Sequence, residues 1–181
     1  MENINLSPFP FLTTERLTLR QLSTDDQQGI FALRSDKKTN KYLDREPSMT
    51  IEDAISFINK VNDNMKANNS IYWVITLTKT KAFVGTICLF NFSRENNKCE
   101  IGYELLTNFQ GQGIMKESTE KVINYAFQTI KLQKIEAFTH KKNKNSTKLL
   151  EKLYFVKSLE ADKENPDLNI FSLTNLFMRH S

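Results

Sequence analysis

Glycine is scarce in this sequence, with five residues among 181. Cysteine and histidine number two each, and tryptophan one. With so few histidines, and with Cys88 and Cys99 outside any metal-ligand spacing, no metal site is expected. Both cysteines fall on segments that read as adjacent strands of a hairpin, and neither is placed like a covalent nucleophile. No apolar run approaches the roughly 18–20 residues that span a bilayer. The opening MENINLSPFPFL lacks a basic region followed by an apolar core, so the expectation is a cytoplasmic protein without a membrane partner. The formal net charge of +4 permits an anionic ligand but lacks the dense basic signature of a nucleic-acid binder.

What is present suits one domain spanning residues 1–181, with 39% hydrophobic residues, 25% charged residues and thirteen Phe as bulky core material. ERLTLRQL (15–22) sets Leu17, Leu19 and Leu22 among polar positions and reads as a first strand. Ser23 and Thr24 precede a first helix as caps. TIEDAISFINKVNDNMKA (50–67) places Ile51, Ala54, Ile55, Ile58, Val61 and Met65 at helical spacing behind a Thr50–Asp53 capping pair. IYWVITLT (71–78), AFVGTICLFNF (82–92) and CEIGYELL (99–106) read as a meander of strands turning at Lys79–Lys81 and at RENN (94–97). IMKESTEKVINYAFQTI (114–130) is a helix, KIEAFTH (134–140) a strand, NSTKLLEKLYF a short helix and LNIFSLT (168–174) a closing strand. The order β-α-α-β-β-β-α-β-α-β-β implies an α+β, mixed α/β layer fold.

Three of the five glycines, Gly102, Gly111 and Gly113, fall within twelve positions. Gly111 and Gly113 sit where a strand passes into a helix. Backbone N–H groups at a helix start are free, the helix dipole favours negative charge there, and glycine lets the main chain approach an anion with positive φ. QGQGIM therefore reads as a backbone cradle for a phosphate-bearing ligand, against the plainer alternative of a tight turn. It is neither of two familiar phosphate loops. Lys116 stands where G-x-G-x-x-G needs its third glycine, and G-x-x-x-x-G-K-[ST] occurs nowhere.

Following CEIGYELL, Q-G-Q-G-I-M resembles the Q/R-x-x-G-x-G/A pyrophosphate loop of the GNAT superfamily of N-acetyltransferases, with Met115 in place of the usual small sixth residue. L-T-T-E-R-L-T-L-R (12–20), E-I-G-Y (100–103) and N-K-N-S-T-K-L-L-E-K-L-Y-F (143–155) resemble its ribosomal-protein-alanine (RimJ/RimL-like) branch. The resemblance implies a central, mostly antiparallel mixed sheet with helices on both faces. It implies an acetyl-CoA-dependent transfer of acetyl to a primary amine, directly within a ternary complex. It places the cofactor on Leu105, Gln110, Gly111, Gln112, Gly113, Ile114, Met115 and Asn143. Lys141, Lys142, Lys144 and Lys148 are candidates for its nucleotide phosphates.

Acetyl transfer needs a neutral amine, an oxyanion stabiliser and a proton for the leaving thiolate. Glu100 is the candidate base, directly or through water, with Glu104 a weaker rival; its alternative is a solvated carboxylate on an alternating strand. Ser146 is the candidate proton or hydrogen-bond donor, and Asn143, Asn145 or Ser146 serves equally as a helix cap. The tyrosine acid of many superfamily members corresponds to Leu150 here. Gly102 marks either a bulge that splays its strand from 134–140 or a glycine under an aromatic ring. His140 reads as a surface residue. Tyr154 replaces a customary glycine and so implies either a different turn or unusual dihedrals, and Phe171 replaces a customary tyrosine. Arg34, Tyr42 and Trp73 are possible walls of an acceptor pocket. The acceptor itself, a protein N-terminal α-amine or a small-molecule amine, is open, with a polyamine disfavoured by the basic charge. A homodimer is possible. Two other readings are a CoA-binding regulatory protein without turnover and an anion-binding module without acyl chemistry.

Overall fold

The computed structural model describes residues 7–175. In chain order the strands are β1 (Leu12–Thr13), β2 (Leu17–Gln21), β3 (Ser70–Leu77), β4 (Phe83–Ser93), β5 (Lys98–Leu105), β6 (Lys134–His140), β7 (Val156–Ala161) and β8 (Leu168–Thr174). The helices are α1 (Gln27–Ser35), α2 (Lys37–Asn40), α3 (Ile51–Lys66), α4 (Ile114–Gln128) and α5 (Lys144–Lys152). The eight strands form a single sheet in the order β1-β2-β3-β4-β5-β6-β8-β7. Its neighbours run antiparallel except for β5 and β6, which are parallel. The sequence pattern anticipates this mixed α/β fold and misses the two-residue β1 and the four-residue α2, both too short to carry a hydrophobic period.

Two apolar compartments lie on opposite faces of the sheet. Alternate residues of the strands divide between them. Leu19, Trp73, Ile75, Ile87, Ile101 and Ile135 join Val122 and Ala126 of α4 and Leu150 of α5 in the larger one. Tyr72 and Val74 join Ile30 of α1 and Ala54, Ile58, Val61 and Met65 of α3 in the other. α3 has that stripe because its apolar residues recur at helical spacing, and Thr50 and Asp53 close its first turn as a reciprocal capping box. Trp73, a possible pocket wall by sequence, is instead fully buried, with its Nε1 donating to the Pro10 carbonyl at 2.6 Å.

α5 ends in a Schellman motif. Phe155 N–H donates to the Leu150 carbonyl and Tyr154 N–H to the Glu151 carbonyl, each at 3.0 Å. The residue that must turn left-handed there is Tyr154, with φ 63°, and its ring is 84% exposed. Of the two outcomes implied by the missing glycine, the unusual dihedral is present, and little packing offsets it. Tyr154→Gly should therefore stabilise the fold by about 0.5–1 kcal/mol in urea unfolding, the relief of left-handed strain less the added freedom of the unfolded chain. Destabilisation would show that the exposed ring packs after all.

Asp36 caps α2, accepting from Lys38 N–H and Thr39 N–H, and also from Thr39 Oγ1 at 2.7 Å and Thr107 Oγ1 at 3.0 Å. The Thr39 hydroxyl bond, with the backbone and Thr107 bonds outweighing burial, holds its carboxyl down at about 2. The unfolded value is near 3.9. A depressed carboxylate stabilises above the unfolded value and loses that contribution as pH falls through the folded one. In urea melts across pH, the gap between wild type and Asp36→Asn should be constant above about pH 5 and shrink between roughly pH 4 and 2.

Candidate active site

β5 is bonded to β4 along its whole length, from Ser93↔Lys98 to Gly85↔Leu105. Its other edge meets β6 at only Lys98↔Lys134, Cys99↔Ile135 and Glu100↔Glu136. Beyond these pairs β6 follows β8 to His140, and the two strands diverge. The wedge between them is a cleft of about 470 Å³, with Ile101, Gly102 and Tyr103 on one wall and Ala137, Phe138, Thr139 and His140 on the other. Backbone N–H and C=O groups on these facing edges lack a strand partner and are available to a ligand. Gly102 does not produce the splay. It pairs with Cys88 without a register shift, and the irregularity of the β4–β5 ladder lies between Phe90 and Ser93. A Cβ on Gly102 would lie 3.3 Å from both Cys88 Sγ and the Phe90 ring, so it is a glycine beneath an aromatic.

The second cleft, about 460 Å³, opens at the start of α4. Gly111 and Gly113 have φ of 75° and 78°, and Gly113 is the N-cap of α4, which no side chain caps. The first helical bond runs from Glu117 N–H to the Gly113 carbonyl, so the preceding N–H groups have no intrahelical acceptor. A Cβ on Gly111 would meet nothing within 4 Å, and one on Gly113 only Arg16 Nη2 at 3.5 Å. Conformation, not crowding, selects glycine here, and the space beside the backbone is open. Gln110, Gly111, Gly113, Ile114, Met115 and Leu105 line this cleft together with Lys38, Lys116, Lys148 and Lys152. Free N–H groups, a helix dipole and four ammonium groups suit a pyrophosphate. Of the lysines after β6, Lys148 is among the lining residues, whereas Lys141, Lys142 and Lys144 are not. Gln112 is exposed and is not among the lining residues, its Nε2 donating to the Asn108 carbonyl at 2.9 Å, whereas Gln110 Nε2 donates to the Leu105 carbonyl at 3.1 Å.

The cradle is braced from the far end of the chain. Arg16 pairs with Glu117 at 2.7 Å and donates to the Gln112 carbonyl at 3.3 Å, while Thr14 Oγ1 donates to the same carboxylate. Burial pushes the Glu117 carboxyl up, but the Thr14 and Arg16 bonds outweigh it and the net shift is downward. L-T-T-E-R and Q-G-Q-G, two separate motifs in the sequence, are one structural unit.

Tyr42, Leu43, Tyr103, Asn143 and Ser146 line both clefts and mark their join. Tyr103 Oη lies 2.9 Å from Ser146 Oγ, a bridge from β5 across the wedge to α5. Burial pushes the Tyr103 phenol up to about 12, opposed by the Ser146 bond. Asn143 is the N-cap of α5, its Oδ1 accepting from Ser146 N–H at 3.1 Å, which leaves its NH₂ unused by the cap. Tyr42 stacks on His140 at 5.4 Å, so that histidine belongs to the wall of the wedge. Leu150 is fully buried, so the position matched to the tyrosine acid faces the core.

The carboxylates are placed differently. Glu104 lines the cradle cleft but is held by Arg45 in a two-bond pair at 2.7 and 2.6 Å. Glu100, the last β5 residue before the strands diverge, lines neither cleft and accepts from Asn91 Nδ2 at 3.0 Å. Burial raises its carboxyl above the usual range, Asn91 opposes and Glu136 adds. Arg34 lies over the Phe57 ring at 4.1 Å and lines neither cleft. Burial pushes the Cys88 thiol up to about 12 and raises Cys99 as well, so neither is a ready thiolate. Among the described residues no three His, Cys, Asp or Glu side chains group to hold a metal, and no helix is long and apolar enough to cross a membrane.

Sequence reasoning did not single out Arg16, Arg45 or Tyr103 for the site. Only the joint occurrence of the motifs hinted at Arg16, and Tyr103 alternates with core residues Ile101 and Leu105.

A strand wedge leading from a helix-terminal anion cradle suits a ligand that joins a phosphate-bearing end to an extended polar chain. The chain belongs to the GNAT acetyltransferases: the family model for the acetyltransferase (GNAT) domain matches residues 16–156. It is 35% identical over 169 residues to p20 of Bacillus licheniformis, an uncharacterized N-acetyltransferase, covering 90% of this chain and 94% of that one. The microcin C7 self-immunity acetyltransferase MccE, solved with acetyl-CoA and AMP, superposes with a TM-score of 0.76 at 24% identity, over 90% of this chain and 94% of its own. RimL, the ribosomal L7/L12 α-N-protein acetyltransferase solved with coenzyme A, superposes with a TM-score of 0.79 at 17% identity, over 91% of this chain and 98% of its own. The protein is an acetyl-CoA-dependent N-acetyltransferase.

Arg16→Ala should weaken acetyl-CoA binding by about tenfold in calorimetry through loss of a charge-assisted brace, with the fold intact by circular dichroism. An unchanged affinity would mean that the cradle holds its shape without the brace.

Proposed function

We propose that the acceptor is a primary amine, either a protein N-terminal α-amine or the amine of a small molecule, acetylated directly in a ternary complex. The observation that carries this reading is the join of the two clefts at Tyr103, Asn143 and Ser146. Acetyl-CoA supplies an activated acyl thioester. Gly111, Gly113, Ile114 and Met115 hold its pyrophosphate through backbone N–H groups, with Lys38, Lys116, Lys148 and Lys152 adding charge. The exposed edge of β5 supplies N–H donors for an acyl oxygen. Asn143 offers its NH₂ to the pantetheine arm, and Ser146 offers its hydroxyl to the leaving sulfur. Glu100, outside both clefts, accepts a proton through water.

The acceptor's own chemistry decides how much that base matters. An α-amine near pKa 7.7–8.0 is roughly a quarter neutral at pH 7.4, whereas a lysine-like amine is about 0.1% neutral. Two substrates meeting at one point need no covalent enzyme intermediate, consistent with two cysteines held as thiols. RimL's action on a protein α-amine supports the first acceptor class, and the basic charge argues against a polyamine.

Calorimetry should show one-site binding of acetyl-CoA to the wild type and its loss in a folded Gly113→Glu variant, which places a bulky anion in the cradle. A panel of N-terminal peptides and small amines, followed by thiol release, then identifies the acceptor. Ser146→Ala should lower kcat by about tenfold or more with little change in KM for acetyl-CoA. Binding without turnover on any amine would support a CoA-binding regulatory protein, and no binding would overturn the assignment of the cradle.

A further inference from the structure

The join of the clefts also contains two phenols, those of Tyr42 and Tyr103, and the Tyr103 hydroxyl is the one within hydrogen-bond distance of Ser146. We propose that Tyr103 is a positioning residue for the leaving sulfur: its phenol donates to Ser146 Oγ and so turns the Ser146 hydroxyl hydrogen into the cleft. The inference rests on the reading that CoA occupies these clefts.

Three observations carry it. The two oxygens lie 2.9 Å apart, and each residue lines both clefts. The Tyr103 ring packs against the larger apolar compartment, so its hydroxyl is presented from a fixed base. Ser146 is fixed as well, because its backbone N–H is tied to the Asn143 cap at 3.1 Å. Each hydroxyl carries a single hydrogen. A phenol is far more acidic than an alkyl alcohol and is the better donor of the two. Once Tyr103 donates, the serine hydrogen must point elsewhere, and the open direction is the cleft.

The phenol does not itself surrender its proton. At about 12 it lies well above a thiol near 8.5, so transfer from Tyr103 to a thiolate is uphill. The balance of the reaction does not require that transfer. A C–N bond forms, the acyl C–S bond breaks, and the proton lost by the amine nitrogen equals the proton gained by sulfur. Tyr103 and Ser146 stabilise the charge on sulfur while that proton travels.

A hydrogen bond aimed at sulfur lowers the pKa of a bound thiol, which can be read without any acceptor. CoA is bound to wild type, Tyr103→Phe, Ser146→Ala and the double variant, and its thiol is titrated by ultraviolet thiolate absorption. The bound thiol in wild type should ionise about one pH unit below that in Tyr103→Phe, the tenfold change expected of one charge-assisted hydrogen bond. Ser146→Ala should show the same rise and the double variant no further one, because both residues act through one hydrogen. A wild-type titration in Tyr103→Phe, or single effects that add, would overturn the proposal while leaving the cofactor site standing. Failure of wild type to bind CoA would instead remove the functional reading and this inference with it. Ser146→Ala acts from α5 outside the core, so a thiol pKa it leaves unmoved refutes the proposal even should Tyr103→Phe fold poorly.

Discussion

The divergence of β5 from β6 after Glu100 is the constraint on which the site depends. Were the two strands bonded to their ends, the sheet would be continuous and its edges satisfied. Each strand instead keeps its other neighbour, β4 for β5 and β8 for β6, so the opening forms without unravelling the sheet. Unpaired backbone groups are costly unless something answers them. A wedge of this kind is therefore predisposed to take an extended polar chain between its walls, where main-chain bonding substitutes for the missing ladder.

The same divergence brings together segments of the chain that are remote in sequence. β5 ends at the cradle, β6 ends at the cap of α5, and the segment after α2 lies across both clefts through Tyr42 and Leu43. That segment is fastened by Arg45 to Glu104 and by Tyr42 to His140, one contact on each wall. The cradle is fastened in turn by Thr14 and Arg16 from the turn between β1 and β2. A loop of glycines is free to take many shapes, and here its shape is set by side chains from elsewhere.

The sequence made the periodic elements legible. The stripe of α3, the strand alternation, the Thr50–Asp53 cap and the left-handed glycine pair before α4 all follow from local rules. It also marked Tyr154, where a side chain stands in place of a glycine, as either a changed turn or an unusual dihedral, and the structure shows the second. What depends on topology was not legible. Arg16 meets Glu117 across 101 positions, and Arg45 meets Glu104 across 59. Tyr103 has the alternation of a core residue, and only the position of α5 gives its hydroxyl a partner. Gly102 stayed open between two readings for a related reason: a glycine signals a local irregularity or a close neighbour equally, and only the register with Cys88 and the nearness of the Phe90 ring decide for the second. Glu100 was singled out by its place on the strand that leads to the glycines and by the resemblance, and only the pairing pattern shows that it stands at the point just before the strands separate.

The sheet also keeps its two apolar compartments apart. One contains residues of α4 and α5 with Ile101, Tyr103 and Ala137 of the wedge; the other contains residues of α1 and α3. Ile30, Ile58 and their neighbours in the second compartment are not among the residues that line the cradle. A chain built on this plan can vary the packing around α1 and α3 while the glycine loop and the wedge keep their own supports on the other side of the sheet.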